Sequence, residues 1–395
     1  MISQDNLKKF KSNIYKYYVF QFIFGIHTVR GVFWDYMHIW GGLTYFEYMI
    51  LQAYFMIIIF LFEIPSGAIA DYIGRKKGLI LSALSVSLAA FMYSVYPSIF
   101  LFFMAETLWA LSIALSSGTN EAFLYSSLKS FEEEEKLPKI MGRNQQINLI
   151  ALTISAPLGS IIATYISLQF TMICLGFIYI SAFIVSFTFT EPPYKKKERM
   201  KYSKIVKQGY NELKNNKILL ILCFDRLFIN VLIFLLFWTY QPYLRELGIQ
   251  TLWLGPITSI MNVTTAVFAW YIPRKIKKTN KKLKFLIFVD ILNGIAFIIM
   301  GIAFGPIIGI IMILVVTAFG YTRNLIYING INKQISADER ATVLSTINMF
   351  GSFFMAVMFL FVGFIGTMNI FFVFIVVGIL ILVFTVSTRV KNDYL

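Results

Sequence analysis

Apolar residues recur in runs of about 20, the length a helix needs to cross roughly 30 Å of hydrocarbon. Twelve such spans can be drawn, near 14–36, 44–70, 78–96, 98–127, 144–165, 168–190, 217–243, 250–273, 285–303, 305–330, 341–364 and 368–388. Most connections are a few residues long. The exception is 191–216, a polar stretch that separates residues 1–190 from 217–395 and so divides six spans from six. It opens with Glu191, Pro192 and Pro193, continues through Lys195, Lys196 and Lys197, and then carries Tyr202, Ile205, Val206, Tyr210 and Leu213 at helical spacing. That periodicity predicts an amphipathic helix lying on a membrane surface, the alternative being a solvated linker. Strand-length runs alternating every second residue, the mark of a membrane barrel, are not seen. The class is an all-α integral membrane protein.

Composition agrees. The chain of 395 residues is 58% hydrophobic and only 14% charged, where soluble chains carry roughly 25% charged residues. The net charge of +15 invites a nucleic-acid partner, but its distribution argues otherwise. Apart from Arg30, Arg226 and Arg323 within spans and Arg245 after span 7, the Lys and Arg fall at the two termini or after even-numbered spans. Positive charge stays on the cytoplasmic side, so both termini are expected inside a plasma membrane, with the basic excess facing anionic lipids and no nucleic acid bound. The first apolar segment is too long for a signal core and lacks a small-residue cleavage site, so it is expected to remain as span 1. Cys174 and Cys223 both sit within spans and read as apolar packers, not as a disulfide or metal pair.

Between spans 2 and 3, Gly67, Asp71, Gly74, Arg75, Lys76 and Lys77 put an acid, two glycines and three cations into a short turn. The spacing resembles the loop between helices 2 and 3 of the major facilitator superfamily, G-x-x-x-D-[RK]-x-G-R-[RK]-[RK], with Tyr72 in place of one basic residue. A faint internal repeat accompanies it: Asn120 to Tyr125 can be laid on Thr322 to Tyr327, a shift of about half the chain. The resemblance implies two pseudo-twofold-related six-helix bundles, residues 1–190 and 217–395, around a central cavity lined by helices 1, 4, 7 and 10. It also implies that Asp71 caps helix 11 and, with Gly67, Gly74, Arg75 and Lys76, gates the cavity. The resemblance has gaps. Glu106 and Ala110 stand where many proton-coupled exporters carry R-x-x-x-G, and the span 5 signature survives only as Pro157 and Gly159.

Charged residues inside spans are the remaining signal, because a mid-membrane carboxylate costs several kcal/mol unless paired, protonated or wet. Glu106, Ala110, Ile113, Ser117 and Glu121 share a face of span 4, and His27, Arg30, Gly31 and Trp34 a face of span 1. If both faces line a cavity, an Arg30–Glu106 pair is geometrically allowed and could exchange a proton for substrate. His27, Arg30, Trp34, Glu106, Trp109, Arg226 and Asn230 are therefore the expected substrate and proton pathway, with Phe33 and Trp238 adding apolar wall. A second group, Glu121 from one half with Asp225 and Arg323 from the other, is the expected inner gate, while Asp290 reads as structural. The alternative for both groups is ion pairing that only fixes helix packing. Glu132 to Glu135 reads as a solvated loop, and no metal or cofactor is implied.

By resemblance, the chain looks like a secondary transporter working by alternating access, a monomer and not an enzyme. Proton-coupled export of a small amphipathic or drug-like molecule is the first expectation. Uptake or facilitated diffusion of a polar or anionic metabolite is the alternative. Arginines outnumbering unpaired acids in the cavity would favour anions, and an unpaired Glu106 would favour cations and protons.

Overall fold

The computed structural model describes residues 4–193, 202–276, 281–302, 304–336 and 340–395, without the side chains of 4–6, 63–72, 202–206, 273 and 340–342. Helices correspond to all twelve spans: α1 (Gln4–Gly25), α2 (Tyr45–Ile73), α3 (Arg75–Val95), α4 (Ile99–Lys129), α5 (Leu137–Tyr165), α6 (Leu168–Phe187), α7 (Lys217–Glu246), α8 (Thr251–Ile276), α9 (Lys282–Ile302), α10 (Pro306–Lys333), α11 (Arg340–Met368) and α12 (Ile370–Val386). Ten are long and apolar enough to cross a membrane by themselves. The other two are α12, with 17 residues, and α1, which starts among lysines and stops at Gly25. Large apolar side chains such as Phe177, Phe364 and Val383 are exposed on the outer surface, as hydrocarbon contact requires.

Helices pack first within each half. In the first, α3 lies against α4 and α6, and α2 against α4; in the second, α9 lies against α10 and α12, and α8 against α10. The same pairings thus recur six helices later. Two main seams join the halves, α2 against α11 and α5 against α8, and these exchange under the same pseudo-twofold. The result is an all-α fold of two six-helix bundles.

An even number of crossings returns the chain to its starting side. Asn13 near the start of α1 bonds the Thr190 backbone after α6, and Lys282 Nζ at the start of α9 donates to the Leu395 carbonyl oxygen. That face is called here the terminal side, and its opposite the far side. On the terminal side the 202–215 segment is helical (Tyr202–Asn215), and it packs on α11 and α7 with Leu213 buried.

Span 1 departs from the expected continuous helix. After Gly25 the chain unwinds, re-forms a 3₁₀ turn at Arg30–Val32, a short α-turn at Phe33–Asp35 and a π-turn at Tyr36–Trp40. Non-helical backbone at this depth must find partners inside the protein, and it does. The His27 N–H donates to Ser155 Oγ at 3.0 Å, and the Thr28 hydroxyl to the Thr171 carbonyl at 2.7 Å. Gly159 of α5 makes room, since a Cβ there would overlap the Thr28 carbonyl oxygen.

Candidate functional site

The unwound segment faces a cavity of about 310 Å³ between the bundles. Its wall from span 1 is His27, Arg30 and Phe33. Those positions are three apart and flank the 3₁₀ turn at Arg30–Val32, in which i stacks on i+3. Trp34, on the same face of an ideal α-helix, is instead turned out of the cavity, buried and stacked on His38 with ring centroids 4.7 Å apart. The break is thus the physical reason Trp34 leaves the expected pathway.

Opposite stand Glu106, Trp109 and Ile113 of α4, with Tyr48, Phe55, Met56 and Ile59 of α2 and Phe234, Phe237, Trp238 and Gln241 of α7. Both bundles therefore build the wall. Glu106 is buried and accepts from Tyr93 Oη at 2.5 Å and from Gln52 Nε2 at 3.5 Å. Arg30 stacks on Phe237, its guanidinium carbon 4.4 Å from the ring centroid. Its Nε is buried with no hydrogen-bond acceptor, as is His27 Nδ1. His27 packs on Trp109 at 5.4 Å, and Trp109 packs on Tyr93 at 6.4 Å. Arg30 and Glu106 thus border one cavity, yet no ion pair joins them. Glu106 has neutral donors, and Arg30 has an aromatic face.

Gln241 ties the break to the other bundle. Its Nε2 donates to the Arg30 carbonyl oxygen at 2.7 Å, and its Oε1 accepts from the Trp34 N–H at 2.8 Å. Nearer the far side, Asp35 is paired with Arg245 and Thr251 of the opposite bundle. These contacts bridge the two bundles on the far side of the cavity. Sequence reasoning named neither Gln241 nor Asp35. The one available signal was Arg245, the single cation after span 7.

Towards the terminal side a second cavity of about 460 Å³ shares Met56 and Phe234 with the first. Ser117, Asn230, Tyr321, Asn324 and Asn348 contribute to its wall. The α4 stripe therefore runs through both cavities as far as Ser117. Asn230 and Arg226 both donate to Asn324 Oδ1, at 3.1 and 2.7 Å. Arg226 borders this polar patch without lining the cavity.

The expected grouping of Glu121 with Asp225 and Arg323 is not formed. Glu121 is exposed on α4. Arg323 is fully buried inside the second bundle, paired with Asp225 and, at 2.8 Å, with Asp290. Tyr327 and Thr388 donate to Asp225 at 2.5 Å each. The two positions are equivalent in the repeat, yet Arg323 meets two acids inside its bundle while Glu121 faces outward.

Gly67 and Asp71 fall within α2, which runs to Ile73, and not in the turn expected for them; the Asp71 side chain lies outside the described residues. Gly74 has φ +104° and starts α3. The Arg75 and Lys76 backbone N–H groups donate to the two oxygens of Glu191, each at 2.8 Å, and the Arg75 side chain donates to the Ala122 carbonyl. Lys76 Nζ donates to the Phe187 carbonyl oxygen at 2.8 Å. The loop acid Glu133 pairs with Lys136 at 2.8 Å, which holds its carboxyl below the usual range. Cys174 and Cys223 are free, and no cluster of metal-ligating side chains occurs among the described residues.

The family model of the Major Facilitator Superfamily matches residues 19–359. The chain is 26% identical over 226 residues to the uncharacterized MFS-type transporter YxaM of Bacillus subtilis (strain 168), a match spanning 56% of either chain. That is about half the length of the curated relative. Solved structures share the fold at low identity. A mutant of the nucleoside transporter NupG superposes with a TM-score of 0.80 at 13% identity, over 96% of this chain and 98% of that one. An auto-inhibited POT family peptide transporter gives 0.78 at 11%, over 97% of each. A D-xylose–proton symporter gives 0.72 at 12%, over 97% and 99%. With a family match over most of its length and a two-bundle helical fold around a central cavity, the chain belongs to the Major Facilitator Superfamily of membrane transporters.

Proposed function

We propose that this chain is a proton-coupled secondary transporter that exports a small amphipathic molecule by rocking its two bundles around the 310 Å³ cavity. One observation carries the reading. A buried carboxylate, Glu106, borders a cavity walled by both bundles, so substrate and proton meet where the halves part. Aromatic walls from Phe33, Trp109 and Trp238 suit an apolar body, and the 300–1,000 Å³ range of ordinary ligand pockets includes this volume. Tyr93 and Gln52 hold the carboxylate in place while leaving it free of any cation. Export is the direction favoured by Pro157 and Gly159 of α5.

The basic residues on the terminal side make that side cytoplasmic in a plasma membrane, with the Tyr202–Asn215 helix lying on its anionic surface. Substrate then enters from the cytoplasm through the second cavity while Asp35, Arg245 and Gln241 hold the far side shut. Proteoliposomes with an imposed pH gradient test the coupling. Candidate compounds should drive proton movement in the native protein and not in Glu106→Gln, which should still bind them. Undiminished coupling in that variant removes Glu106 from the mechanism.

A further inference from the structure

A buried guanidinium is costly unless an opposite charge or water meets it. Arg323, fully buried, obeys the rule with two carboxylates. Arg30, half-buried on the cavity wall, does not. It lines the cavity between the bundles, its Nε is buried without an acceptor, and its one flank is covered by Phe237 at 4.4 Å. The nearby acid makes no ion pair with it: Glu106 takes hydrogen bonds from Tyr93 and Gln52 on its Oε1. Gln241 holds the Arg30 carbonyl and the Trp34 N–H, which fixes the backbone from which this side chain enters the cavity. Beside it, His27 Nδ1 is a second buried nitrogen without a partner.

We infer that the missing partner is the substrate: the cavity takes a small organic anion, its carboxylate bound by the fork of Arg30 and its flat apolar body held between Trp109 and Trp238. A planar guanidinium pairs with a carboxylate through two parallel N–H donors, a geometry that a lysine or an amide does not reproduce. The guanidinium carbon lies over the Phe237 ring, and the side chain lines the cavity. The inference rests on the reading of this cavity as the transport site. It sets the sign of the substrate's charge, which that reading leaves open.

The test uses purified full-length protein and aryl probes that differ only in charge: benzoate, 4-phenylbutyrate and 2-naphthoate, their primary amides, and the corresponding amines. Binding is read by titration calorimetry. At least one carboxylate should bind, its amide about tenfold or more weakly, and its amine not at all, as loss of a charge-assisted pair requires. Arg30→Gln should abolish the preference for carboxylate over amide, and Arg30→Lys should restore part of it. Glu106→Gln should keep it. Equal binding of amide and carboxylate, preference for the amine, an unchanged preference in Arg30→Gln, or no binding by any of the three carboxylates overturns the inference. Thermal melting of each variant confirms that it is folded. The coupling experiment fails separately: substrate-driven proton flux that survives Glu106→Gln sinks the role of Glu106 and leaves the charge preference intact.

Discussion

Arg245 Nε lies 3.2 Å from Asp35 Oδ1 across the seam between the two bundles, and Thr251 donates to the other carboxylate oxygen at 2.5 Å. Asp35 is fully buried while the Arg245 side chain is one-third exposed. A partly exposed pair is worth about 1 kcal/mol at most, but here that energy acts on the equilibrium between closed and open far sides. We predict that Asp35→Asn, which removes the pair without stranding a buried charge, shifts the population towards an open far side by about fivefold, the ratio that 1 kcal/mol sets. A cysteine at Phe33, in a background without Cys174 and Cys223, should then react that much faster with an impermeant thiol reagent added on the far side. Unchanged labelling would show that Gln241 and the apolar seams alone keep that side shut.

The unwound part of span 1 depends on Gly159. A methyl group there collides with the Thr28 carbonyl, whereas Gly142 on the same helix has open space around it. We expect Gly159→Ala to cost about 1–3 kcal/mol through overpacking and to lower the transport rate by displacing His27 and Arg30. Gly142→Ala should be neutral or stabilising by up to about 1 kcal/mol from helix propensity. Melting temperatures and initial transport rates of the pair check this. Equal behaviour of the two variants would mean that the break is not held by α5.

Much of this architecture was legible in the sequence because hydrocarbon length and positive charge are one-dimensional signals. Twelve runs became twelve helices, and the spaced apolar residues of the linker became the Tyr202–Asn215 helix. The α4 face was legible too, since Glu106, Ile113 and Ser117 sit on an unbroken helix. What failed was whatever depended on straightness or on inward direction. Trp34 is placed by a 3.6-residue period counted across a segment that the structure breaks with a 3₁₀ turn at Arg30–Val32. Glu121 was grouped with Arg323 by depth alone, but depth does not say which way a side chain faces. Gln241 left no trace because an amide in an apolar span looks the same whether it bridges two bundles or none.

The Arg323 cluster separates packing from gating. Removing the arginine alone leaves Asp225 and Asp290 buried and unpaired, a change that costs about 3–5 kcal/mol in buried ion-pair networks. We predict that Arg323→Met fails to accumulate as folded protein, and that the triple variant Asp225→Asn, Asp290→Asn, Arg323→Met recovers most of the stability. Transport by that triple variant is the deciding measurement. Activity near the native level makes the cluster a packing device of the second bundle. A folded but inactive triple variant assigns it to the transport cycle, as the sequence reading proposed.

The Glu191 carboxylate caps α3, taking the Arg75 and Lys76 backbone N–H groups with one oxygen each. Those donors have no partner inside the helix, and the helix N-terminus favours a negative charge there. Gly74, with its positive φ, brings the chain round so that both N–H groups face the acid. Because the carboxylate arrives from the end of span 6, it fastens the α2–α3 turn to the linker on the terminal side. Losing a side-chain cap costs about 1 kcal/mol. We predict that Glu191→Ala speeds amide hydrogen exchange at residues 75–78 by about fivefold, with little change in exchange at the centre of α3. Glu191→Gln should lie between the two, since its amide has one oxygen to offer where two donors wait. Uniform loss of protection along α3 would instead mean that the carboxylate supports the whole bundle and not this turn alone.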